Sequence, residues 1–172
     1  ADVDWKTGVD VATYSNKIYI LDSANNQVWK YQKGNTGYGT ASAYLPEGED
    51  LTGAVSIAVD GKVWILKSDG TLLQYFAGDS VPYTIKKAPL TTMESGARVL
   101  TDLDMNRLYV LDSTAQRVLV YDKSTKNDDL TYSSQYVFDN LDEDITDIYI
   151  DKVRNVLMLT TESTLYEISF TE

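Results

Sequence analysis

The sequence predicts an all-β fold, a β-propeller of four four-stranded blades, on three observations. A four-residue apolar phrase recurs as Ile18-Tyr19-Ile20-Leu21, Val63-Trp64-Ile65-Leu66, Leu108-Tyr109-Val110-Leu111 and Val156-Leu157-Met158-Leu159, with starts 45, 45 and 48 residues apart. Each copy lies between two further strand-like runs joined by turn residues. No segment carries a sustained helical period.

The elements follow in order. The inner strands are expected at Val9-Asp10-Val11-Ala12, at residues 55–59, at Arg98-Val99-Leu100-Thr101 and at residues 146–150. The recurring phrase is the second strand. Its near-continuous apolar character indicates a sheet buried on both faces, as between neighbouring blades. Turns such as Asp22-Ser23-Ala24-Asn25-Asn26 and Lys67-Ser68-Asp69-Gly70 lead to third strands at Val28, Leu72, Val118 and Leu165. Asn, Asp and Gly suit those turns because they tolerate the dihedrals required. Weaker fourth strands are expected at residues 41–45, 83–85 and 135–138. The second of these follows Pro82, which cannot donate to a ladder and fits the start of an edge strand.

The repeats divide the chain as residues 6–50, 51–95, 96–142 and 143–172, the last completed by residues 1–5. The fourth repeat lacks a fourth strand of its own. Val3 and Trp5 are therefore expected to pair with the third strand at Leu165 and fasten the ring, because a sheet leaves no exposed edge where another strand covers it. The ring is expected to close within one chain, as a monomer; the alternative is closure across two, as a homodimer of eight blades.

The composition excludes several functions. The chain has 172 residues, 43% of them hydrophobic, enough for one sizeable domain. It contains no Cys and no His, which removes disulfides, thiolate chemistry, zinc fingers and imidazole catalysis. The net charge of −11 opposes nucleic acids and anionic membranes, whose recognition needs a cationic surface. No apolar run approaches the roughly 20 residues that span a bilayer.

The third repeat, Asn106-Arg107-Leu108-Tyr109-Val110-Leu111-Asp112-Ser113-Thr114-Ala115-Gln116-Arg117-Val118, resembles the NHL repeat, and so does the first, from Asn16 to Val28. The second resembles propeller domains attached to some bacterial membrane-bound phosphatases and kinases. These resemblances imply a propeller acting as a binding or sensor domain of a larger bacterial envelope protein. They favour an extracellular or envelope location. NHL propellers commonly have six blades, whereas four repeats are present here.

Candidate chemistry lies in the loops. The face carrying the turns between second and third strands collects Asp22, Glu49, Asp50, Asp69, Asp112, Asp142, Glu143 and Asp144, against Lys67, Lys86 and Lys87. The opposite face is nearly balanced in charge. The acidic face suits a basic protein or a small cationic ligand, or simply solvates the domain. Asp22 and Asp112 occupy equivalent positions and also read as turn caps. The densest oxygen cluster, residues 139–144, raises Ca²⁺ binding, which needs six to eight oxygens. It lacks the spacing and glycine of an EF-hand. A Ca²⁺-dependent hydrolase or lactonase is the enzymatic alternative; the leading expectation is a non-catalytic interaction module.

Overall fold

Four small sheets, antiparallel except for one short parallel pairing at the edge of the third, form a four-bladed β-propeller. The computed structural model describes residues 3–139 and 141–169. The first blade contains β1 (Gly8–Tyr14), β2 (Lys17–Asp22) and β3 (Gln27–Gly34), with the short β4 (Gly37–Tyr38) and β5 (Ser42–Ala43) both pairing with β3. The second contains β6 (Ala54–Val59), β7 (Val63–Lys67), β8 (Leu72–Phe76) and β9 (Asp79–Ser80). After β10 (Ile85–Lys86) comes the third blade: β11 (Gly96–Leu100), β12 (Arg107–Asp112), β13 (Arg117–Lys123) and β14 (Leu130–Val137). The fourth contains β15 (Asp147–Asp151), β16 (Val156–Thr160) and β17 (Leu165–Ser169).

Three apolar clusters, one per blade junction, form the core. Tyr19, Leu21 and Val28 of the first blade pack on Ile57, Val63 and Ile65 of the second. Trp64 and Leu66 pack on Val99, Leu108 and Val110 of the third. Tyr109, Leu111, Val118 and Val120 pack on Ile148, Leu157 and Leu159 of the fourth. The first and third residues of each phrase thus face the preceding blade, and the second and fourth face the next.

That rule corrects the fourth copy. Leu157 and Leu159 face backward, so the structural phrase is Leu157-Met158-Leu159-Thr160, one residue later than the sequence pattern suggests. Pairing confirms the shift. Asp10 opposes Leu21, Ser56 opposes Leu66, Arg98 opposes Leu111, and Asp147 opposes Thr160. Thr161 then takes the buried place held by Asp22 and Asp112. Because side chains alternate along a strand, a one-residue shift exchanges the two faces of a blade.

Two further expectations change. The second blade ends in β9, hairpinned to β8 through Ala77 and Gly78, both at positive φ. A Cβ on Gly78 would lie 2.6 Å from the Tyr44 carbonyl oxygen, so glycine alone fits that turn. The chain after Pro82 crosses away: β10 pairs in parallel with β14 of the third blade rather than completing the second.

Val3 and Trp5 do not complete the last blade. Among the described residues β17 pairs with β16 alone. The N-terminal segment docks on the first blade instead, because the Asp22 carboxylate accepts the backbone N–H groups of Lys6 (3.3 Å) and Thr7 (3.0 Å). Trp5 donates its indole N–H to the Tyr31 hydroxyl at 3.0 Å and stands edge-on to that ring. The inner strand β1 packs on β6, β6 on β11, and β11 on β15; β15 and β1 make no comparable contact.

Candidate functional site

The acidic face is built from the loops that follow β2, β7, β12 and β16 and from the connections between blades. Its residues divide into those committed to the fold and those turned to solvent.

Asp22 and Asp112 belong to the first group. Both are fully buried, so they are not available to a partner, and their place among the binding candidates is corrected. Asp22 accepts from Lys6 and Thr7, from the backbone and side-chain amides of Asn25 (3.3 and 2.6 Å), and from the Trp29 indole (3.1 Å). Asp112 accepts the backbone N–H groups of Glu94 and Ser95 (3.2 and 2.9 Å) and a two-pronged contact from Arg117, Nε at 3.0 Å and Nη2 at 2.9 Å. Both carboxylates tie an incoming inner strand to the following turn. The repeat signals this pairing of Asp with a polar residue five positions on: Gln27 occupies the place of Arg117 in the first blade, where it bonds the backbone of Tyr44 and Leu45.

Burial by itself would raise the Asp22 carboxyl, but hydrogen bonds from Thr7, Asn25, Trp29 and Lys6 outweigh it and hold the group below its ordinary value. The stabilisation is therefore complete above the unfolded value near 3.8 and is lost as pH falls through the lower folded value. The thermal midpoint is expected to stay level down to about pH 5 and to fall below it. Asp22→Asn should lower the midpoint at neutral pH and flatten the acid limb. A variant whose acid limb matches that of the wild type would refute this role for Asp22.

Four other candidates have local partners. Glu49 accepts the Tyr75 hydroxyl at 2.7 Å; burial first, and then this carboxylate, push the Tyr75 phenol up. Asp50 accepts from the Thr52 N–H at 2.9 Å and pairs with Lys67 at 3.4 Å. Asp69 caps its turn through the Thr71 N–H at 2.8 Å. Glu143 accepts from the Ser163 N–H at 3.0 Å and hydroxyl at 2.8 Å, while Gln116 donates to the carbonyls of Leu141 and Glu143, both at 3.3 Å. Asp142 and Asp144 flank Glu143 in this anchored loop. Both are exposed, and neither has a hydrogen bond or ion pair among the described residues. Asn140, within the same acidic run, lies outside the described residues.

The charge balance differs from the sequence expectation in its cations. Lys86 does not break the acidic face: β10 carries it to the other side, where it pairs with Asp129 at 3.0 Å. Arg98 and Arg117 take its place. Arg98 lies at the axis, with Nη1 2.8 Å from Asp10 and Nε 3.2 Å from Asp147. Asp10 also accepts from the Ser56 hydroxyl at 2.9 Å. The four equivalent inner-strand residues, one per blade, thus form a single polar network.

On the opposite face charges are largely matched. Lys123 meets Asp60 at 2.8 Å, Lys152 meets Asp102 at 2.6 Å, Arg154 meets Asp151 at 2.7 Å, and Lys62 pairs with Asp128. A cleft of about 410 Å³ on that side is lined by Arg107, Tyr109, Asp122, Lys123 and Lys152. Among the described residues no group of three or more acidic side chains is arranged to hold a metal ion. Among them too, no helix is long and apolar enough to cross a membrane.

The fold and its faces define a four-bladed β-propeller with an acidic loop rim. Solved structures agree on the class. The chain is similar to the computationally designed Ika4 protein (TM-score 0.61, 10% identity, 99% of this chain and 95% of that one). It is also similar to a protein from Lactobacillus plantarum (TM-score 0.65, 10% identity, 95% and 54%). A third similar structure is a putative 6-phosphogluconolactonase from Bacteroides uniformis (TM-score 0.56, 11% identity, 98% and 58%). The chain spans about half the length of the latter two. At these identities the likeness shows the fold alone. Comparison with family models gives no match, and comparison with curated proteins gives none.

Proposed function

We propose that this chain is a non-catalytic binding module whose acidic face engages a basic partner, either a cationic protein segment or a small cationic ligand. One observation carries the reading. Asp142 and Asp144 stand exposed, without partners among the described residues, on a loop anchored by Gln116 and Ser163, whereas the opposite face pairs its charges. An anchored pair of free carboxylates presents negative charge at little ordering cost. The NHL-like phrasing, with its resemblance to bacterial envelope propellers, supports a sensor or interaction domain as the setting.

The test uses a lysine oligopeptide as the cationic probe at low salt. Titration calorimetry should show binding that weakens as salt is added. The double substitution Asp142→Asn, Asp144→Asn should lower the affinity by about 3- to 30-fold, since each exposed charge contributes roughly 0.3–1 kcal/mol. Asp69→Asn should change it little, because that carboxylate caps its own turn. Equal affinity of the wild type and the double variant would overturn the proposal.

A further inference from the structure

Among the described residues the first and last blades each leave one face uncovered, and the two faces are complementary by construction. Val11 on β1 occupies the place held by Ile57, Val99 and Ile148 in the other blades. Those three are 3%, 1% and 3% exposed because a preceding blade covers them; Val11 is 55% exposed. Beside it, Ile20 is only half-buried, although its equivalents Ile65, Val110 and Leu159 are fully buried, and Trp29 shares this face. At the other end Leu165 on β17 matches Val28 and Val118, which are fully buried, yet Leu165 is 54% exposed. Tyr149 and Met158 share that open forward face.

We infer that a second copy of this chain closes the ring, giving eight blades from two chains. The forward face of the fourth blade in each copy (Tyr149, Met158, Leu165) covers the backward face of the first blade in the other (Val11, Ile20, Trp29). The chain already makes this forward-to-backward contact at its three internal junctions, so the missing cover has a known chemistry and shape. Each copy supplies one half of the contact at each end. The head-to-tail contact therefore forms twice in a two-fold ring and leaves no open face. The second contact forms within an already associated pair, which raises its effective concentration. Trp5, laid against Tyr31, extends the receiving face.

Light scattering on the chain at tens of micromolar tests the inference. The expected mass is twice 19.2 kDa. Leu165→Glu and Val11→Glu, both at exposed positions, should each halve the mass while circular dichroism keeps its strand signal. Mixing the two variants should restore association, because one intact forward-to-backward contact remains in the mixed pair. A wild-type mass of 19.2 kDa would overturn the inference, as would open-ended growth beyond two copies. So would a dimer that Val11→Glu leaves unchanged, since that would place the contact on another surface.

Discussion

Arg117→Ala should destabilise the protein by about 3–5 kcal/mol, the cost of leaving a buried charge unpaired. Arg117 and Asp112 have almost no exposed side-chain surface, and two of the guanidinium nitrogens hold the carboxylate at 2.9–3.0 Å. The same fork reaches the Thr92 carbonyl at 2.6 Å and the Thr91 hydroxyl, so it also fastens the chain entering the third blade. Removing it leaves the fully buried Asp112 carboxylate with only the Glu94 and Ser95 N–H groups as donors among the described residues. For a domain stable by about 5–15 kcal/mol, that loss is a large share of the total. Arg117→Lys should rescue little, because an ammonium cannot reproduce the planar two-pronged contact. Replacing both partners, as Arg117→Met with Asp112→Asn, should cost less than Arg117→Ala, because no buried charge is then left alone. Urea unfolding measures all three; a cost below about 1 kcal/mol for Arg117→Ala would contradict the structural role.

Trp64→Ala should cost about 3–5 kcal/mol through the cavity it leaves between the second and third blades. The side chain is 1% exposed and packs with Leu66, Val99, Leu108 and Leu119. Tyr83 meets its ring edge-on with centroids 5.6 Å apart, an arrangement that adds to simple burial. The indole N–H donates to Asp60 at 3.1 Å, and Asp60 also holds Lys123. Trp64→Phe keeps most of the volume and loses that hydrogen bond, so it should cost well under half as much. Equal losses for the two variants would mean that the hydrogen bond, rather than packing, dominates.

Trp64 also shows what was legible. It stands in the second position of its phrase, as Tyr19 and Tyr109 do in theirs, and all three pack forward onto the next blade. A side chain repeated at the same position in successive blades meets the same neighbour, so periodicity alone identifies it as core. The acidic loops were legible too, since composition places them. Which carboxylates are free was not. Asp22 and Asp142 look alike in sequence, yet among the described residues one collects five donors from three segments and the other collects none. Hydrogen bonds between distant segments leave no local pattern. Lys86 changed faces for the same reason: its placement depends on β10 pairing with β14, about 45 residues further along the chain.

Four repeats, an all-β propeller, the apolar second strands and an acidic rim can all be read along the chain. Spacing and alternation are local properties, and local properties survive in a linear pattern. The phase of the fourth blade comes from packing in three dimensions. Val156, Leu157, Met158 and Leu159 are all apolar, so either frame satisfies the pattern, and only packing against Tyr109 and Leu111 selects one. The tertiary fold also decided that residues 3–7 dock on the first blade, because the buried Asp22 carboxylate needs donors. The last blade keeps three described strands, and Tyr149, Leu165 and Val11 remain uncovered at the two ends of the arc.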